Sequence, residues 1–133
     1  MLLDRFGDGD DAHDCEYVGR TCLLAPPVEP DDVARATALI DRALVSESAR
    51  QTWQYRFLRM AKALAEYRAD RYESAIATVQ GEPARVFGPV PDMIIAMAQS
   101  RLGRATEARQ ALARAALSYD WSPSRATRTS GWR

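Results

Sequence analysis

Histidine occurs once and cysteine twice in this chain of 133 residues, and His13, Cys15 and Cys22 lie close together near its start. A zinc site would need a fourth ligand at regular spacing, and none is present. The surrounding DGDDAHDCE is acidic enough for calcium. However, the alternating carboxylates, glycine and twelfth-position glutamate of a calcium loop are not met from Asp4, Asp8 or Asp10. Nucleophilic catalysis needs a base beside a serine or cysteine, and His13 has no such motif around it. Gly7 and Gly9 in FGDGDDA are similar to part of a phosphate loop, but no strand precedes them to aim one. If residues 10–25 are helical, Cys15 and Cys22 share a face about two turns apart, roughly 10 Å along the axis and too far for a disulfide. They read as buried thiols in a reducing cytoplasm. The chemistry-bearing residues thus predict no metal, no cofactor and no catalytic centre.

The elements that would hold any site are helical. Alanine fills 23 positions, while glycine and proline supply seven each and cluster between the alanine-rich stretches. That distribution predicts short helices with sharp ends, and no run alternates as a strand would. Six helices are expected. The first spans about Asp10 to Ala25, ended by Pro26 and Pro27. The second opens at Pro30 with Asp31 and Asp32 at its positive dipole end and runs to about Glu47. The third covers about Gln51 to Ala69, with Trp53, Phe57, Met60, Leu64 and Tyr67 along one side. Asp70 then has capping-box spacing to Glu73, which predicts a fourth helix to about Gln80 that buries Tyr72, Ala75, Ile76 and Val79. The breaker-rich GEPARVFGPVP is a connector pinned by Val86 and Phe87. Pro91 opens the fifth helix, Gly103 turns the chain, and the sixth runs from about Arg104 to Tyr119. Residues 1–121 form one domain, and residues 122–133 form a frayed polar tail.

These helices repeat. Ala63, Asp70 and Ala75 recur as Ala96, Gly103 and Ala108, each 33 residues later. The offset is close to the length of a tetratricopeptide (TPR) repeat, whose helix–turn–helix unit buries its apolar face on a neighbour. Small residues are needed where the two helices of a unit cross. Enlarging Ala75 or Ala108 to leucine is therefore expected to overpack by about 1–3 kcal/mol. The expected fold class is all-α, a TPR-like array of antiparallel helix pairs with right-handed superhelical stacking.

The segments RTCLLAPP, LAEYRADRYESAI, AMAQSRLGRATEARQAL and SYDW, spread between about Arg5 and Trp121, carry a more specific likeness. Together they resemble the C-terminal TPR region of large bacterial serine/threonine protein kinases. In that family EYRxxR followed by Phe or Tyr joins the helices of a repeat, GPxP follows as a connector, and YDW comes after a later helix. The relatives continue into another helical segment where this chain reads RTSGWR, so it looks like a truncated or separately encoded piece. The resemblance brings no kinase chemistry. Phosphoryl transfer needs a positioned lysine, a catalytic-loop aspartate and metal-holding carboxylates. The only lysine, Lys62, is mid-helix, HRD and DFG are absent, and the chain has no asparagine.

Two functions remain. The first is a non-catalytic scaffold that binds a peptide or protein segment in a concave groove. By repeat position that groove carries Met60, Tyr67 and Arg68 from one unit, with Met93, Met97 and Arg101 from the next. Guanidinium forks suit carboxylates and methionines adapt to apolar side chains, so the expected partner is acidic and hydrophobic. The alternative is an auxiliary segment that positions or regulates a kinase encoded elsewhere. The net charge is zero, but nine acids fall within residues 1–32 and seven arginines within residues 101–133. A basic end without lysine clusters or interleaved aromatics argues against nucleic acid. No apolar run is long enough for a bilayer and no targeting segment is visible, which predicts a cytoplasmic protein. Leu117 and Tyr119 remain for whatever stacks beyond the sixth helix, and self-association is expected there with Leu117 and Trp121 at the contact.

Overall fold

The computed structural model describes residues 19–20, 23–24, 29–45, 54–81 and 88–119. Five helices are defined among them, with no strand: α1 (Pro30–Leu44), α2 (Gln54–Arg68), α3 (Tyr72–Val79), α4 (Val90–Arg101) and α5 (Ala105–Ser118). Residues 19–20 and 23–24 are helical as well, within the span expected for a first helix. The other residues of that helix lie outside the described residues. So do His13, Cys15, Cys22, Trp53, the connector positions Val86 and Phe87, and the tail with Trp121.

α1 starts as its sequence dictates, with proline in the first turn and Asp31 and Asp32 at the dipole's positive end. Its Val33, Ala36, Leu39, Ile40 and Ala43 are buried. Together with Leu23 they pack on Leu58, Ala61, Leu64 and Ala65 of α2. Gly19 sits so close to this helix that a Cβ there would come within 2.9 Å of the Ile40 side chain.

α2 is the centre of the fold. A single apolar stripe was the sequence expectation, but the buried residues Leu58, Met60, Ala61, Ala63, Leu64, Ala65 and Glu66 enclose most of its circumference. The reason is that α2 packs on α1 and also on α3 and α4. Its second face places Met60 and Ala63 in a cluster with Val79 of α3 and Ile94 of α4. Glu66 is the one buried charged residue described, and its Oε1 accepts a hydrogen bond from the Thr78 hydroxyl at 2.6 Å. The Arg59 guanidinium donates to the Thr78 carbonyl at 2.7 Å. These bonds tie α2 to α3. In α3, Ala75, Ile76 and Val79 are buried as expected, whereas Tyr72 is only half-buried.

The turns after α2 and α4 are built alike. The Arg71 amide donates to the Glu66 carbonyl, and the Arg104 amide to that of Gln99; Asp70 donates to Tyr67 and Gly103 to Ser100. Asp70 and Gly103 have φ of 60° and 76°. This is a Schellman closure, with the left-handed residue satisfying the last carbonyls of the preceding helix. Asp70 therefore ends α2 rather than capping α3. The N-cap of α3 is Arg71, and it makes no side-chain cap bond. Arg104 pairs with Glu73 and so links the second turn to the start of α3, while Arg114 and Asp92 clamp α5 to α4 at 3.0 Å.

Candidate functional site

A depression of about 370 Å³ opens where the end of α2 meets α4 and α5. Tyr67 forms one wall. Ala96, Met97, Ser100 and Arg101 come from α4, and Ala108, Arg109 and Leu112 from α5. The turn at Gly103 brings α4 and α5 side by side, and the two alanines keep the floor low. Three residues expected in the groove, Tyr67, Met97 and Arg101, are thus brought together.

The depression is electropositive at its rim. Arg101 is held firmly protonated, its pKa raised first by the hydrogen bond it gives Tyr67 and further by the neighbouring Tyr72 and Asp70. Tyr67 is itself supported edge-on by Tyr72, with ring centroids 5.6 Å apart and planes at 60°. The Tyr72 hydroxyl donates to Asp70 at 2.7 Å, which raises the phenol's pKa above its ordinary value. Arg109 is the second cation on the lining, its Nε donating to the Ala105 carbonyl at 3.3 Å. No acidic residue is among those lining the depression.

The other expected groove residues lie elsewhere. Met60 is buried, because α3 and α4 cover that face of α2 with Val79 and Ile94; its placement as a groove residue is corrected. Arg68 is half-buried and gives its Nε to the Leu23 carbonyl at 3.0 Å. It lines a different depression of about 550 Å³, against Val33, Thr37 and Asp41 of α1. Equivalence by sequence offset therefore does not bring Arg68 and Arg101 to one depression. Met93 is exposed on α4, one turn from Met97, but outside the lining.

Sequence reasoning missed Arg109 and Leu112. Ala108, Ala111, Leu112, Ala115 and Ala116 recur along α5 at the spacing of one apolar helix face. Only Ala111 and Ala115 are buried, Ala108 is half-buried, and Leu112 and Ala116 are exposed. The difference becomes clear when residues are compared 33 apart. Met60 is 6% exposed but Met93 is 45%; Leu64 is 8% but Met97 is 39%; Val79 is 1% but Leu112 is 57%. Of the earlier positions, Met60 and Val79 meet Ile94 of α4 and Leu64 packs on α1, whereas the later three face the depression or open surface. A signal for this was present: the buried Ile76 is replaced, 33 residues later, by Arg109.

Among the described residues no cluster of His, Cys, Asp or Glu could hold a metal ion, and no helix is long and apolar enough to cross a membrane. A third depression, of about 310 Å³, is lined by polar groups that include Gln99, Glu107 and the Arg114–Asp92 pair. Compared with protein-family models, curated proteins and solved structures, the chain finds no match in any of the three.

Proposed function

We propose that this chain is a non-catalytic, TPR-like helical scaffold that binds a segment of another protein in the depression between α4 and α5. One observation carries the reading. Apolar positions buried in the first unit are open in the second, and they are rimmed there by Arg101 and Arg109 with no lining acid. Exposed apolar surface bounded by polar groups is the usual mark of an interaction site. The paired Schellman turns and the 33-residue offset agree with stacked repeat units. The partner is an acidic and hydrophobic segment, met in the cytoplasm.

Immobilised wild-type protein and the Arg101→Glu/Arg109→Glu double variant, compared for capture of partners, test this reading. Both arginines are exposed, so helicity should be unchanged. Partners should be lost from the variant. Identical capture by both proteins would remove the depression from the function.

The EYRADRY and GPVP segments favour a second reading, in which the chain is an auxiliary part of a serine/threonine kinase and the captured segment belongs to that kinase. Its test is whether a kinase reading frame lies beside this one, and whether that kinase is the captured protein.

A further inference from the structure

We infer that the α4–α5 depression is a seat for an amphipathic α-helix with acidic flanks, supplied by a partner and docked as α4 docks on α2 and α3. The inference rests on the scaffold reading above and specifies the form and chemistry of the bound segment.

The chain contains one filled example of such a seat. Met60 and Ala63 of α2 and Val79 of α3 close around Ile94 of α4, with Ile95 packed alongside. The residues 33 positions further on are Met93, Ala96 and Leu112, two of which line the depression. The occupant of the first seat presents Pro91, Ile94, Ile95 and Ala98, an i, i+3, i+4, i+7 stripe that is apolar along one helix face. A second occupant must supply the same stripe. The chain's own residues at the corresponding offset from Ile94, Ile95 and Ala98 are Thr127, Arg128 and Gly131. They offer no apolar stripe, and Arg128 would meet the guanidinium groups already there. That segment does not supply the stripe, and the pair of arginines on the depression assigns the seat to an acidic partner helix instead.

Charge decides the flanks. In the first unit the position equivalent to Arg109 is the buried Ile76. In the second, Arg109 and Arg101 lie on the same depression with no carboxylate among its lining residues, the neighbouring Asp70 being bonded to Tyr72. A helix carrying glutamate or aspartate beside its apolar stripe would pair with both, and guanidinium–carboxylate pairing also fixes its register. Helix-in-groove recognition uses this combination of spaced apolar anchors and flanking charge.

The probe is a fluorescent peptide of residues 89–103 bearing Gln99→Glu and Arg101→Glu, which keeps the α4 stripe and makes its flank acidic. A second peptide adds Ala96→Pro to break the helix, and a third carries lysine at both flank positions. Anisotropy with the full chain should show saturable binding of the first peptide and at least tenfold weaker binding of the other two. Leu112→Glu, at an exposed position on the depression, should abolish binding without loss of helicity. Equal binding of the proline peptide would mean that the depression takes extended chain, which overturns the helix inference and leaves the scaffold reading standing. Binding that survives Leu112→Glu would place the peptide elsewhere and overturn it too. If no peptide binds but partner capture still depends on Arg101 and Arg109, this inference alone fails. If capture also proves independent of them, both fail. Self-association abolished by Leu112→Glu would identify the occupant as a second copy, again overturning the inference.

Discussion

Tyr72 connects the site's charge to its geometry. Its hydroxyl donates to Asp70 while its ring supports Tyr67, the residue that contributes most to raising the pKa of Arg101. The hydrogen bond to Asp70 is the largest cause of its raised pKa, followed by partial loss of water and the nearby carboxylate charge. A phenol whose folded-state pKa is raised binds its proton more tightly when folded. Its contribution to stability is then complete below about pH 10 and is lost as pH rises through the folded value. Phenolate absorbance should therefore show one tyrosine titrating above the ordinary range. That component should disappear in Tyr72→Phe and move down in Asp70→Asn. No change in Asp70→Asn would mean that the carboxylate does not hold the hydroxyl in solution.

The two turns make different demands on equivalent residues. Gly103 at φ 76° occupies the left-handed region without a side chain, whereas Asp70 reaches φ 60° and uses its carboxylate to hold Tyr72. A Cβ at Gly103 would meet nothing within 4 Å, so Gly103→Ala should cost about 1 kcal/mol through backbone conformation alone. Thermal unfolding of that variant checks this, and unchanged stability would argue that the turn relaxes. The helix crossings are unequal too. Ala75 is fully buried, and Ala75→Leu should cost about 1–3 kcal/mol by overpacking. Ala108 is half-buried on the depression, so Ala108→Leu can extend into open space and should cost well under that amount while obstructing the seat. Equal destabilisation of both would mean that the second crossing is as closed as the first.

At the scale of the whole molecule, the described helices form a core that thins along the chain. α2 is covered on most sides, while α5 contributes only Ala111 and Ala115 to the buried set. Leu117 projects from the end of α5, 87% exposed, with Tyr119 partly exposed beside it. An apolar side chain so displayed on a thinly buried helix is a contact waiting for a surface. Concentration-dependent association is expected there. Sedimentation over a wide concentration range should show it, and Leu117→Lys should weaken it. A wild-type chain that stays monomeric throughout would place no self-contact on α5.

The helical class and the positions of the five described helices were legible from alanine content and from proline and glycine placement. These features depend on backbone propensity and local sterics, which act within a few residues. Tyr67, Met97 and Arg101 could be grouped because they sit near the ends and outer faces of neighbouring helices. What periodicity could not supply was which apolar face finds a neighbour. Met60 and Met93 occupy equivalent positions with similar local sequence, yet one is buried against Val79 and Ile94 and the other is exposed. Leu112 and Val79 differ in the same way. Burial is a property of the neighbour as much as of the helix, so the tertiary packing of α4 on α2 and α3 decided which apolar residues became core and which remained available as a binding surface.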